Sequence, residues 1–538
     1  MSKKTGQRRS GAARKAPATA SAAGARGTSA TSTARGDAPA GTSRQAGPSR
    51  WASAARDEEA AVVERLFGRL LTAVAAGDPL SAELETATFM AIPHAMGQAT
   101  PEQVEAFIAK VLVDGAVTMR TPEGAALLRL LALLGSPATK RAASQGLGKL
   151  TQAGVYPPDW VTEAGKPVPG RAWRRYDVFG DHEVVAVTFS YGEAEHAIVA
   201  QVDLTGLPTA VMVGVTPNPA DVIEGVTRDD DPFVRVETIG LAEARWRLEE
   251  PLDRCEADPI PGSAPDTTVF LPVMRSRVRR LPAGDGWPAP SFTADDRKAA
   301  VDEFLSNPLA AEAVAADEAA TRFWAEVLTG YSSHVPGEPP GQVGPRKLTH
   351  ILLGNVPSMF TLTPAQRQHL EPAVTAWTHW SAARRNLDDN ATAMLTDRLP
   401  VVFGRFDQAY DADDAALART YMADLATSDV DFSWLADRVG RRMFALPMPE
   451  AGEASEFRDA SDPQVRRDMT EAEFADCNPP GGMAREQFMT AVHRVISELW
   501  DDDPPETFAA AKLLFSSDHN RHDVIHALAE RAASSADR

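Results

Sequence analysis

The sequence predicts an α+β fold that is predominantly helical, with a central antiparallel sheet module between helical regions and a small C-terminal three-helix unit. Three observations support this class. Apolar residues recur at helical spacing through residues 56–156 and again from residue 291 onward. Between these regions, several short segments alternate apolar and polar residues, as strands with one buried face do. Near the C terminus, three helical segments are separated by Pro and Asn, residues typical of helix ends.

Residues 1–55 are predicted to be a disordered basic arm. They consist mainly of Ala, Ser, Thr, Gly, Pro and Arg, which bury too little apolar surface to offset the entropy of ordering the chain. Residues 1–50 carry ten Lys and Arg against one acidic residue, whereas the whole 538-residue chain has a net charge of −19. The arm is therefore interpreted either as a solubilising tail or as a weak polyanion-binding segment that contacts nucleic acid.

Residues 56–156 are predicted to form a helical domain, and residues 157–280 an α+β module built on an antiparallel meander. Within the module, the predicted strands cover 183–191, 195–203, 209–215, 233–239 and 268–274, and the predicted helices cover 220–226 and 241–248.

Four polar residues of this module stand near predicted strand ends: Asp181, His182, His196 and Asp203. Residues at strand ends and in loops often carry binding or catalytic roles, because a rigid scaffold holds them at the surface. Polar residues also occur there simply because strand ends meet solvent. Both interpretations stay open, and the four residues are a candidate polar cluster.

Residues 291–440 are predicted to form a second helical domain, and residues 441–480 a linker. Trp377 and Trp380 lie three positions apart on one predicted helix, followed by Arg384 and Arg385. This arrangement is interpreted first as a buried stripe, because tryptophans at this spacing usually face a core. An aromatic and basic contact surface is the alternative.

Residues 481–538 are predicted to form the C-terminal helical unit. The first of its helices covers 485–500, where apolar residues lie on one face. Asp503 and Pro504 are expected to begin the second helix as N-cap and first helical residue. The third helix is expected to begin near Asn520, as the N-cap.

The third helix carries His522 and His526, which are spaced to share one face, with Asp523 between them. Two histidines at this spacing with an intervening acid resemble the zinc-binding motif of zincin metalloproteases. In that interpretation, His493 and His519 are further candidate ligands and Asp523 is the candidate base or supporting acid.

The preferred interpretation of the same residues is structural. With Asn520 as N-cap, Asp523 occupies the third helical position, where a carboxylate interacts favourably with the helix dipole. His522 is then a neutral histidine at the edge of the core. No cofactor is favoured on this basis, and zinc is the alternative.

Asp502-Asp503-Pro504-Pro505-Glu506, followed by Arg521-His522-x-x-x-His526-x-Leu528, is similar to a small C-terminal helical element of uncharacterised bacterial proteins. The segments 154–160, 176–181, 195–197 and 345–347 resemble a family of uncharacterised actinobacterial proteins, to which no activity is assigned. The His522-Asp523 pair is also similar to the metal-binding dipeptide of the HD phosphohydrolases.

The leading functional hypothesis is a cytoplasmic, non-catalytic binding or regulatory protein with a protein partner or self-association. The alternatives are a metal-dependent hydrolase that uses the C-terminal histidines, and nucleic-acid binding through the arm. The two cysteines, Cys255 and Cys477, are too few for a disulfide framework and fit a reducing compartment. The longest apolar run, 125–134, is interrupted by Arg129 and about half the length of a membrane span, so no transmembrane helix is expected.

Overall fold

The computed structural model describes residues 67–95, 107–228, 231–257, 266–283, 292–332, 337–422, 438, 441–446, 460–477, 479, 483–515 and 520–536. The predicted basic arm and His519 lie outside these ranges. The chain is mostly helical and contains a five-stranded antiparallel sheet, which confirms the predicted α+β class. Within these ranges, no helix combines the length and apolar character needed to cross a bilayer.

Among the described residues up to 152, the chain is mostly helical, as its apolar periodicity predicts. Residues 67–76 are helical. A π-helical turn, Ile108–Val113, directly precedes the helix that begins at Asp114. Thr121 and Ser136 cap two of the helices by accepting hydrogen bonds from the backbone N–H groups of Gly124 and Thr139. The labelled helices are α1 (Pro79–Ala95), α2 (Asp114–Met119), α3 (Pro122–Leu134) and α4 (Pro137–Gln152).

The sheet has the strand order β4-β3-β2-β1-β5, with every neighbouring pair antiparallel. The meander β2–β4 confirms three predicted strands, and β5 confirms a fourth, whereas β1 was not predicted. The alternation of apolar and polar residues explains why 182–191 forms strand β2, which buries Val185, Val187 and Phe189 on one face. The strands are β1 (Val168–Asp177), β2 (His182–Tyr191), β3 (Ala194–Asp203), β4 (Thr209–Thr216) and β5 (Val234–Ile239).

Three helices pack against the sheet: α5 (Pro219–Thr227), α6 (Leu241–Ala257) and α7 (Asp266–Val278). The predicted strand over 268–274 is wrong, because this segment belongs to α7. Leu271, Met274 and Val278 are buried at helical spacing in the apolar core that also contains the buried face of the sheet, which we call the first core. Its β-branched residues favour a strand locally, but burial of the helical face against the sheet and α1 decides the conformation.

The second helical region has its own apolar core, which includes Phe179 from the β1–β2 turn. Trp377 and Trp380 are buried in that core, with ring centroids 4.6 Å apart, so the core interpretation of this pair is confirmed. The helices are α8 (Ala294–Leu305), α9 (Ala311–Ala316), α10 (Glu318–Ser332), α11 (Pro345–His350), α12 (Val356–Met359), α13 (Pro364–Gln368), α14 (Leu370–Arg384), α15 (Asp389–Thr396), α16 (Leu399–Tyr410) and α17 (Asp413–Met422).

The C-terminal region contains α18 (Pro463–Glu473), α19 (Arg485–Asp501), α20 (Glu506–Phe515) and α21 (Arg521–Ala536). A third core forms here, and it includes Ala460 and Phe474 from the segment predicted to be a linker. Helix α20, the second helix of the predicted three-helix unit, begins at Glu506, two residues after the predicted start at Pro504. The Asn520 cap is confirmed, because its Oδ1 accepts the backbone N–H of Asp523 at 2.9 Å.

Candidate functional site

Three members of the predicted polar cluster, Asp181, His182 and Asp203, lie together beside the start of α11. His182 and Asp203 are opposite each other in the β2–β3 register. Asp181 is buried and accepts the backbone N–H groups of Arg346 at 2.7 Å and Lys347 at 3.0 Å. The Arg346 guanidinium lies 3.0 Å from Asp203. Both aspartates therefore bind the first turn of α11, whose exposed backbone donors favour a carboxylate.

Asp177 organises the β1–β2 turn that carries Asp181. Its carboxylate accepts backbone N–H groups from Phe179 at 2.7 Å, Asp181 at 3.1 Å and His182 at 2.8 Å. His182 Nδ1 lies 2.6 Å from Asp177 Oδ2. This contact raises the pKa of His182. Burial by itself would raise the pKa of Asp177, but the hydrogen bonds that Asp177 accepts outweigh burial and hold its pKa below the usual value. Burial and the neighbouring charge of Asp177 raise the pKa of Asp181.

His196 does not belong to this group, which corrects the predicted four-residue cluster. It lies near the start of β3, whereas Asp203 ends that strand. Seven residues at about 3.3 Å each separate the two by roughly 23 Å. His196 is fully buried instead against Arg277, whose Nε lies 2.8 Å from His196 Nε2. Arg277 also pairs with buried Glu83, which accepts the Tyr191 hydroxyl at 2.8 Å.

A cleft of about 480 Å³ lies next to the Asp181 contacts, between the β1–β2 turn, the 337–342 loop and the C-terminal end of α14. This volume falls in the range that small-molecule sites occupy. Gly341 has a φ of +84°, and a Cβ atom there would lie 2.5 Å from the Trp377 ring, so the loop needs glycine to pack on α14. The charged side chains that line the cleft are Arg174, Asp177, Glu338, Arg384 and Arg385.

Most of these charges already have partners. Arg174 pairs with Glu183 at 2.6 Å and lies over the Tyr176 ring at 3.8 Å. Glu338 accepts the buried Lys347 ammonium at 2.7 Å. Burial raises the pKa of Glu338, although the Lys347 charge opposes this rise.

Arg385 is the exception. Its guanidinium donates to the carbonyl oxygens of Val343, at 2.9 Å, and of Val178. Within the part of the chain that the structure describes, no carboxylate forms an ion pair with it. Burial lowers the pKa of Arg385, while the more distant charges of Glu338 and Asp177 oppose this effect. A half-buried cation bonded only to neutral oxygens is thus part of the cleft wall.

The C-terminal histidines separate in the structure. His522 contacts Cys477 and Glu473, His526 lies on the Phe488 ring at 4.7 Å, and His493 lies 3.9 Å from Glu471. In the residues with described positions, no three His, Cys, Asp or Glu side chains are grouped as metal ligands would be. Asp523 is exposed in the first turn of α21, as the capping interpretation expects.

Two groups of residues around these sites were not predicted. The sequence indicates that Arg384 and Arg385 form a basic pair, but it does not indicate that they face the 337–342 loop and β1. Cys477 and Glu473 were placed in a predicted linker, so their contact with His522 was missed. Asp462 followed by Pro463, an N-cap with proline at the first helical position, is the sequence signal that could have revealed α18.

Comparisons with models of protein families, with curated proteins and with solved structures give no match for this chain. The functional argument consequently depends on the geometry of the chain itself.

Proposed function

We propose that this chain is a ligand-binding protein whose cleft takes a small anionic molecule, such as a phosphate or carboxylate. The observation that carries the proposal is the guanidinium of Arg385, which is bonded only to carbonyl oxygens at the cleft wall. A carboxylate or phosphate matches a guanidinium in charge and in hydrogen-bond geometry.

The other charges of the cleft support an anion over a cation. The carboxylate of Asp177 is committed to three backbone N–H groups and to His182, and that of Glu338 to Lys347. The oxygens of these acids are therefore already occupied by their own partners. Arg384, which pairs with Glu303 at a distance of 3.5 Å, is one-third exposed and adds a second positive charge to the wall. An incoming anion meets two guanidinium groups whose charges are weakly balanced.

The position of the cleft supports a regulatory role. One wall comes from β1 and the turn that follows it, and the other comes from the 337–342 loop and α14. The sheet belongs to the first apolar core, whereas α14 belongs to the second. A ligand that contacts both walls stabilises the arrangement in which they are close, because binding favours the conformation with the larger number of contacts. We place this protein in the cytosol, where two free cysteines are stable.

Isothermal titration calorimetry of the full chain with inorganic phosphate, pyrophosphate, citrate and adenosine monophosphate tests the proposal, with ribose as the uncharged comparison. We expect at least one anion to bind at a single site, and ribose to give no heat. Arg385→Gln and Arg384→Gln should each weaken binding by about 10- to 100-fold, since a hydrogen bond to a charged group contributes roughly 1.5–3 kcal/mol.

Arg245→Gln is the matched control, because Arg245 also bonds a carbonyl oxygen and a carboxylate but lies on α6, outside the cleft. If Arg385→Gln fails to fold, Arg384→Gln, at a side chain that is one-third exposed, carries the test. Binding that is equally strong in all three variants places the anion elsewhere, and the absence of heat with every anion overturns the proposal.

A further inference from the structure

A thiol, an imidazole and a carboxylate form a chain of contacts between α18 and α21. Cys477 Sγ lies 2.9 Å from His522 Nε2, and His522 Nδ1 lies 3.2 Å from Glu473 Oε1. We propose that Cys477 is the nucleophile of an acyl-transfer centre, with His522 as its general base and Glu473 as the residue that orients the imidazole. This proposal is independent of the cleft, which lies on other elements.

The order of the contacts sets the protonation of the imidazole. Glu473 is a carboxylate and can only accept, so the neutral ring carries its proton on Nδ1. Nε2 is then an acceptor that faces the thiol. The Phe474 ring stacks on the imidazole, with centroids 4.4 Å apart, and holds the ring plane in position. Nucleophile, base and orienting acid thus follow the same order as in the catalytic triads of hydrolases.

Arg521 keeps Glu473 in place. Its two terminal nitrogens contact the two oxygens of the Glu473 carboxylate, and it also donates to the carbonyl oxygens of Phe444 at 2.6 Å and Ala445 at 2.8 Å. A bidentate guanidinium fixes the orientation of the carboxylate that it contacts. Glu473 is therefore a positioning residue that remains able to accept the Nδ1 proton.

The charges around the thiol determine how it reacts. Burial raises the pKa of Cys477, and the negative charges of Glu473, Asp476 and Asp523 act in the same direction, while Arg485 opposes them. The resting thiol is consequently protonated. It needs a base during attack, as a serine hydroxyl does, and His522 Nε2 is the base in contact with it.

The centre is accessible, in contrast to the other cysteine. Cys477 and His522 are both partly exposed, whereas Cys255 is only 3% exposed in the first core. Reagents that modify thiols therefore reach Cys477 first. Cys255 serves as an internal reference for unfolding, because it reacts only when that core opens.

The reaction assigned to the centre is acyl transfer from an ester. Sγ bonds to the ester carbonyl carbon as its proton moves to His522 Nε2; the C–O bond then breaks and the proton passes to the leaving oxygen. The product is a thioester on Cys477 and a free alcohol. Water then attacks the thioester, gives a proton to Nε2, and releases the acid as that proton returns to Sγ. No oxidant or reductant is needed.

The test uses the full chain with p-nitrophenyl acetate. We expect one acetyl group per chain, located on Cys477 by peptide mass spectrometry and absent from Cys477→Ala. His522→Asn should slow acetylation by about 100-fold, the lower end of what general-base catalysis contributes. Glu473→Gln should slow it by roughly 10-fold, and Glu473→Asp should recover part of the loss, as expected for a positioning residue.

His526→Asn is the matched control, because its ring lies one turn further along α21 on Phe488 and does not contact the thiol. Equal acetylation rates in wild type and His522→Asn overturn the proposal. Where His522→Asn does not fold, the Glu473 variants carry the test. Equal acetylation rates in wild type, Glu473→Gln and Glu473→Asp then remove the assigned triad.

Discussion

His196 is buried as a neutral imidazole, and this makes the stability of the first core depend on pH. Its Nε2 accepts from Arg277 Nε, so protonation would break this bond and place two cations together without solvent. Burial, followed by the charge of Arg277, lowers the pKa of His196 to about 3 from an ordinary value of 6.5, although Asp78 opposes the decrease. The folded core therefore excludes a proton that the unfolded chain takes up.

The sign and magnitude follow from this difference. A lowered folded pKa means that the stability contribution is fully present above pH 6.5 and is lost as pH falls towards 3. Each pH unit within this window costs about 1.4 kcal/mol. Between pH 7 and pH 5, the unfolding free energy of the first core should fall by about 2 kcal/mol through this residue alone.

Hydrogen exchange of peptides from β2 and β3 measures the opening free energy of this core. Wild type is compared with His196→Gln at the same pH, so the intrinsic exchange rate cancels. The glutamine oxygen still accepts from Arg277 and does not titrate. The raised pKa of His182 acts in the opposite direction but is common to both proteins. We expect the wild-type advantage at pH 7 to shrink by about 2 kcal/mol at pH 5. An advantage that is unchanged with pH would refute the neutral, buried state of His196.

Two further substitutions test the local contacts. Asp181→Ala leaves the partly buried N–H of Arg346 and the buried N–H of Lys347 without their acceptor, which should cost roughly 2–4 kcal/mol in thermal unfolding. Asp181→Asn should cost less because one oxygen remains, and equal stability of all three proteins would contradict this. Asn520→Ala removes the cap of α21 and should cost about 1 kcal/mol by hydrogen exchange of that helix, whereas Asn520→Asp should retain the cap. An Asn520→Asp loss equal to that of alanine would show that the side-chain oxygen does not stabilise the helix.

The elements that could be predicted are those whose information is local. The meander β2–β4 alternates apolar and polar residues, and α19 carries an apolar stripe that is buried throughout. Both patterns depend only on the period of the backbone, which is set within a few residues. The cap at Asn520 is equally local, because donor and acceptor lie three residues apart.

β1 shows why other elements could not be predicted. It contains a proline, a glycine and three arginines, and lacks a regular alternation of apolar residues. Its Arg174 is directly opposite Glu237 in β5 and pairs with Glu183 in β2. These partners are distant in sequence, so the strand is stabilised by cross-strand pairs that only the assembled sheet provides.

The sequence by itself determined the helical and strand periods, the helix caps, and the residue types from which the sites are built. The tertiary structure alone decided which of these residues meet. Arg277 pairs with Glu83 across 194 positions, Asp181 binds the start of α11 across 165, and His522 contacts Cys477 across 45. Such contacts depend on how separate elements pack, and packing leaves no periodic pattern along the chain. For this reason His196, which the sequence analysis groups with Asp203, belongs to a different, buried group.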